Sequence, residues 1–223
     1  MQLAVVRPGR VGYTRALAWQ ESLVEQRVRG GDDTLLLLEH DPVYTLGRGA
    51  DPVFLGTASS GDVPVVRSSR GGQVTYHGPG QLVGYPIVHL REHRLDVRWY
   101  VRQLEVMLLG VLDVHGLAGR RMEGAPGIWI GEHKIASIGI AIRRWVTWHG
   151  FALNVGADLD AFDRITPCGL AGVRMTSLAR EGVTATLDEV SRVVVEQFAL
   201  TFGYERWSAG RGIVPSTSLE AAP

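Results

Sequence analysis

Cys168 is the only cysteine in 223 residues, and it lies between Pro167 and Gly169. Free cysteines are mostly small buried hydrophobes. This one instead occupies a loop-forming tripeptide, where glycine lets a substrate approach the backbone and where functional residues concentrate. The chemistry within its reach is nucleophilic: a thiolate can attack a carbonyl carbon and hold the acyl group as a thioester. A thiol with the ordinary pKa of about 8.5 is only about 3% ionised at pH 7. Lowering that value by about 1.5 units takes about 2 kcal/mol of favourable interaction, which one neighbouring ammonium can supply. Of the 23 lysines and arginines, only Lys134 is a lysine. Arginine keeps its proton, whereas a lysine can surrender it when its site favours that. Cys168 and Lys134 are thus a candidate dyad, provided the fold brings them together.

A second group of residues is consecutive. Arg70, Gly71, Gly72, Gln73, Val74, Thr75, Tyr76 and His77 combine glycines with a guanidinium, a hydroxyl and an imidazole, and a Gly78-Pro79-Gly80 turn follows. Glycines allow backbone amides to face a ligand, where they can hold a carbonyl or an oxyanion. A plain glycine-rich hairpin would have similar spacing, but the polar density favours a site. A third group depends on pairing. If residues 134–155 form a hairpin turning at Arg144-Trp145, then Gly139 lies opposite Gly150 and Ser137 opposite Ala152. Side chains alternate along a strand, so these small residues share one face and leave a trench. A trench beside a thiol could hold an acyl chain; close packing of a helix on that face would suit the same residues.

Two other motifs lead nowhere. His89-Leu90-Arg91-Glu92-His93 matches an inverted zinc-protease pattern, which needs both histidines on one helix and a further ligand. Here the segment lies between a strand and a helix start, and no metal site is expected. Gly78-Pro79-Gly80 opens a strand and lacks the third glycine of a dinucleotide fingerprint, and no phosphate-loop sequence is present.

The elements that must position these groups read as follows. Strands are expected at Leu3–Val6, Thr34–Glu39, Val63–Val66, Gln73–Tyr76, Gln81–His89, Ile128–Ile130, Lys134–Arg143 and Val146–Val155. Helices are expected over Thr14–Arg29, from an Asp96 N-cap with Val97, Val101, Leu104, Leu108 and Val111 as its apolar stripe, and from a Thr186/Glu189 capping box. Residues 41–62 read as a long loop. Strands outnumber helices and hairpins dominate, which predicts an α+β fold with a mixed or antiparallel sheet flanked by helices. No linker divides the chain, so residues 1–207 are expected to form one domain and residues 208–223 a flexible tail.

Hydrophobic residues make up 45% of the chain and the formal net charge is zero, which gives no global electrostatic case for nucleic acid or an anionic membrane. The longest aliphatic run, Leu35–Leu38, is too short to span a bilayer, and the N-terminus lacks the apolar core of a signal peptide. A single cysteine suits a reducing cytoplasm. A monomer is expected, since no exposed apolar stripe is evident.

Taken together, these motifs resemble the lipoyl(octanoyl) transferase family over about residues 12–203. The family pattern Arg-Gly-Gly-x-x-Thr-Tyr-His-x-x-Gly-Gln is met from Arg70 to Gln81, Lys-Ile-Ala-x-Ile-Gly from Lys134 to Gly139, and His-Gly-x-Ala-Leu-Asn-Val from His149 to Val155. Pro-Cys-Gly is met at 167–169, with Thr176-Ser177-Leu178 following. The resemblance implies a biotin/lipoate ligase-like catalytic domain, a thioester-forming Cys168 and a Lys134 that lowers its pKa. It also implies substrate contacts at Arg70 through His77, at Ser137, Ile138 and Gly139, and at Gly150, Phe151 and Ala152. The implied donor is octanoyl-acyl carrier protein, and the acceptors are lipoyl domains of 2-oxoacid dehydrogenases and the glycine cleavage H protein, with no cofactor. The alternatives are an ATP-dependent lipoate or biotin ligase, which would lack the catalytic cysteine, and a non-catalytic acyl-binding module. The chain departs from the family pattern at His89 and at Ala125-Pro126, positions expected to be peripheral.

Overall fold

A computed structural model describes residues 2–169 and 172–210, without the side chain of Cys168. In chain order the elements are β1 (Gln2–Val11), α1 (Tyr13–Val28), β2 (Asp33–His40), β3 (Val43–Leu46), β4 (Val65–Arg67), β5 (Val74–His77) and β6 (Gln81–Ile87). There follow α2 (Val97–Val114), β7 (Arg120–Arg121), β8 (Gly127–Ile130), β9 (His133–Arg143), β10 (Val146–Asn154), β11 (Arg174–Met175), α3 (Leu187–Phe202) and β12 (Arg206–Ala209).

The main sheet runs β12-β1-β2-β6-β10-β9-β8-β7, with β11 beside the start of β9. Its β12, β1 and β2 edge is parallel, and the strands from β2 to β7 pair antiparallel. The mixed sheet expected from the hairpin-rich sequence is therefore present. The run Leu35–Leu38 is apolar without alternation because both faces of β2 are covered. Leu35 and Leu37 join a core under α2 and α3, with Leu104, Leu108, Val194 and Phe198. Leu36 and Leu38 join a second core under α1, with Ala16, Leu23 and Val24.

The helix ends follow their local chemistry. The Asp96 carboxylate accepts from the amides of Arg98 and Trp99, and Thr186 and Glu189 close a reciprocal capping box at the start of α3. Gly203 ends α3 in the left-handed region at φ 74°. Of the predicted α2 stripe, Leu104, Leu108 and Val111 are buried, while Val97 is exposed at the first turn.

Two expectations need correction. Residues 41–62 are not a plain loop: β3 lies there and pairs with β4 and β5 in a second, three-stranded sheet. That sheet has its own core of Tyr44, Leu46, Val74, Tyr76 and Phe162, and a 3-10 segment at Pro52–Ser60 covers one side of it. The punctuating Gly and Pro residues hid a four-residue strand. Ser208 and Ala209, assigned by the sequence to a tail, are instead part of β12, opposite Ala4 and Val5. The remaining tail, residues 211–223, lies outside the described residues. No helix among the described residues is long and apolar enough to cross a membrane.

Candidate active site

Lys134, most of the Arg70–His77 run and the small residues of the 134–155 hairpin line one cavity of about 350 Å³. Its floor is the β9–β10 hairpin. Arg144 and Trp145 both have positive φ, 52° and 66°, as a two-residue hairpin turn requires, and this sets the register. Gly139 faces Gly150 and Ser137 faces Ala152, as the sequence pattern predicted. The roof is the segment from Arg70 to His77, carried by the small sheet. Of the predicted contact residues, all of 70–75, His77, Ser137–Gly139 and Gly150–Ala152 line the cavity. Tyr76 does not: its ring turns to the other side of β5, packing on Tyr44 and Phe162 with centroids 5.3 and 5.6 Å away.

The trench is less empty than small residues alone suggest. A Cβ at Gly139 would sit 3.0 Å from the Gly71 carbonyl oxygen and 3.2 Å from Arg70 Cδ. The glycine thus admits the roof as well as leaving room for a ligand, so the close-packing alternative is half right, with a loop in place of a helix.

Lys134 opens onto this cavity at the start of β9 and is only 1% exposed. Its ammonium lies 5.3 Å from the centre of the Trp129 ring, a favourable face for a cation. Gly127 has φ 127°, a value glycine tolerates, and a Cβ there would meet Lys134 Cε at 2.7 Å and Nζ at 3.3 Å. Gly124, Ala125 and Pro126 line the cavity beside it. The departure at Ala125-Pro126 is therefore not peripheral: both residues line the cavity that Lys134 opens onto. His89 keeps its place away from the cavity, donating its amide to Asp33 at 2.9 Å.

The side chain of Cys168 lies outside the described residues. Its backbone belongs to a short 3-10 turn, Pro167–Gly169, where the Gly169 amide donates to Thr166 O at 3.0 Å. Gly169 packs against Gln73 and Phe54: a Cβ there would lie 2.9 Å from Gln73 Cγ. Gln73 lines the cavity. Downstream of the turn, Met175 pairs with Lys134, and the Thr176 amide donates to the Lys134 carbonyl at 2.9 Å. Gly169 and, further on, Met175 and Thr176 are thus held against residues that line the cavity.

Behind His77 and Tyr85, which line the cavity, lies a buried polar network, of which the sequence did not single out His40 and Tyr85. Asn154 Nδ2 donates to Thr176 O at 2.9 Å, so its Oδ1 accepts from Gln81 Nε2, also at 2.9 Å. Gln81 Oε1 is left to accept from His77 Nδ1 at 2.7 Å. Neutral His77 therefore has Nε2 unprotonated. His40 Nδ1 donates to Val11 O at 2.7 Å, so its Nε2 accepts from the Tyr85 hydroxyl at 2.6 Å. Burial pushes His40 down to about 4. Burial and then the Arg70 charge push His149 down to about 3. His77 is held well below the usual imidazole range by burial first and the neighbouring His40 next. All three histidines stay neutral at physiological pH.

Tyr13, Val83, Tyr85, Val101, Ile140 and His149 also line the cavity. Only His149 carried a signal, at the head of the His-Gly-x-Ala-Leu-Asn-Val run. Val83 and Tyr85 enter through pairing of β6 with β10, where Val83 faces Ala152, and Tyr13 enters through α1. Long-range pairing of this kind has no local signature. The inverted zinc pattern dissolves into structure: His93 and Tyr204 bond Asp33 at 3.3 and 2.8 Å, and Arg27 bridges Asp33 and Glu92 at 2.6 Å each.

A mixed sheet with a small-sheet roof over a largely apolar cavity defines the lipoyl protein ligase A/B catalytic domain, whose family model matches residues 12–199. An octanoyltransferase of Gloeobacter violaceus is 49% identical over 205 residues, covering 90% of each chain. One from Solibacter usitatus is 46% identical over 222 residues, covering 96% of each. The chain belongs to the octanoyltransferase family. Among solved structures, a bipartite lipoate protein ligase from Thermoplasma acidophilum superposes with a TM-score of 0.76 at 20% identity, covering 94% of this chain and 86% of that one. At that identity the likeness speaks for the fold alone.

Proposed function

We propose that this acyltransferase moves an octanoyl group from acyl carrier protein to a lipoyl-domain lysine by way of a thioester on Cys168. The observation that carries the reading is the cavity of about 350 Å³, apolar over much of its lining, with the buried Lys134 at one wall. In the first half-reaction the Cys168 thiolate attacks the carbonyl carbon of the donor thioester. The acyl–sulfur bond to the carrier breaks, the acyl–sulfur bond to Cys168 forms, and the carrier leaves as a thiol after taking up a proton from the Lys134 ammonium, which becomes the amine. The exchange replaces one thioester by another and needs no ATP. In the second half-reaction the acceptor lysine amine attacks the acyl-enzyme, the acyl–Cys168 bond breaks as an amide forms, and Cys168 leaves as the thiolate.

Lys134 is assigned two roles. Its ammonium favours the Cys168 thiolate, and its amine form takes the proton lost by the incoming lysine. Backbone amides of the 72–77 segment or the Cys168 turn hold the oxyanion of each tetrahedral intermediate. The acceptors are lipoyl domains of 2-oxoacid dehydrogenases and the glycine cleavage H protein, and the reaction belongs in the cytoplasm. The catalytic unit extends through β12 (Arg206–Ala209) and acts as a monomer.

Intact mass spectrometry after mixing with octanoyl-carrier protein tests the scheme. The wild type is expected to gain one octanoyl mass, lost on adding a lipoyl domain, and Cys168→Ser is expected to gain none. Acylation of the lipoyl domain only in the presence of ATP would instead favour the ligase alternative.

A further inference from the structure

We infer that Arg70 is a positioning residue for the acyl cavity, held in that role by Thr45, a residue outside every motif quoted above. The inference rests on the octanoyl-transfer reading for the identity of the ligand. A guanidinium lining an acyl pocket invites assignment as a clamp on the substrate carbonyl. Here its donors are turned to the protein. Arg70 Nη2 donates to the Thr45 hydroxyl at 2.7 Å and to the Thr45 carbonyl at 2.6 Å, and Nε donates to the same hydroxyl at 3.2 Å. Nη1 donates to the carbonyl of Gly71 at 3.0 Å. Thr45 itself is 0% exposed and paired with Thr75 in the small sheet, so both its acceptors are fixed in space.

What this fork holds is the roof. The Arg70 stem lies over Gly139, and the Gly71 amide donates to the Ile140 carbonyl at 2.8 Å, which docks the roof on β9. Beside it the chain leaving β3 runs along the same segment: the Arg48 amide donates to Arg70 O at 2.9 Å and the Gly47 amide to Gln73 O at 3.2 Å. The height of the cavity above Gly139 is therefore set by how the guanidinium is gripped. Charge-assisted hydrogen bonds to buried acceptors are strong, and an orphaned guanidinium donor would draw the arginine toward water.

The test uses Thr45→Val, which keeps the side-chain shape and removes the hydroxyl. Octanoyl and dodecanoyl carrier proteins serve as donors, and melting temperature is followed in parallel. The expected result is a rise of about tenfold in KM for the octanoyl donor with kcat within about twofold, and a flattened preference for octanoyl over dodecanoyl. Thr45→Ser, which keeps the acceptor, is expected to restore the wild-type profile. Arg70→Lys keeps the charge and loses the fork, and is expected to flatten the chain-length preference as Thr45→Val does. A Thr45→Val enzyme with wild-type KM and chain-length preference would overturn the inference. If Thr45→Val melts too low to assay, the same decision falls to the other pair: a wild-type chain-length profile in Arg70→Lys, or a flattened one in Thr45→Ser, overturns it. A wild-type protein that takes up no octanoyl at all would overturn the transfer reading instead.

Discussion

Gly127 and Lys134 are packed in contact: a methyl group on Gly127 would clash with the Ala136 carbonyl oxygen and meet Lys134 Cε at 2.7 Å. The lysine is pinned between this glycine and the Trp129 ring, and the glycine has φ 127°, where other residues are strained. Gly127→Ala is therefore expected to cost about 1–3 kcal/mol of stability through strain and overpacking, and to slow acyl transfer by displacing the ammonium. Chemical denaturation alongside single-turnover acylation checks both effects. A stable Gly127→Ala enzyme with full turnover would show that the lysine does not need this packing.

Lys134→Arg keeps a positive charge but cannot act as a base at neutral pH. Loss of proton transfer is expected to lower turnover by about 10²–10⁴-fold. Acyl-enzyme formation and amide formation, followed separately, locate the loss. Retention of full turnover would remove Lys134 from the mechanism.

Stability should fall as the solution is acidified below the ordinary imidazole pKa of 6.5. His40 and His149 have folded-state values near 4 and 3, so the unfolded chain binds protons first as the pH drops. Their neutral burial therefore favours the fold fully above 6.5, and this contribution is lost as the pH falls from 6.5 toward 4 for His40 and toward 3 for His149. At pH 5 each is expected to contribute about 2 kcal/mol less than at pH 7. Urea denaturation at the two pH values measures it. His149→Asn should reduce the acid sensitivity, and an unchanged pH slope in that variant would contradict the assignment.

Asp33 is 3% exposed and joins Arg27, His93, Tyr204 and the His89 amide. Removing its charge leaves Arg27 with the half-exposed Glu92 alone and weakens the buried hydrogen bonds of the cluster, a change expected to cost about 1–3 kcal/mol. Asp33→Asn is expected to lower the melting temperature markedly while the folded protein keeps its KM, because the cluster does not line the cavity. A thermal melt paired with a steady-state assay decides.

Local chemistry alone determined a good deal. The α2 and α3 caps, the two-residue turn at Arg144-Trp145 and the Gly139–Gly150 register follow from side-chain hydrogen bonding, positive φ and strand alternation, all of which act over a few residues. The lone cysteine, the lone lysine and the glycine-rich Arg70–His77 run were visible as chemistry for the same reason. Tertiary structure decided the rest. The four-residue β3 is stable only because β4 and β5 flank it, so nothing within 41–62 announced it. Tyr13, Tyr85 and His149 reach the cavity from three different elements. Thr45 meets Arg70 across 25 positions of sequence. Such meetings depend on which strands pair across the sheet and which loops dock on them. That choice is made by burying the whole set of apolar faces at once, and no short stretch of residues contains it.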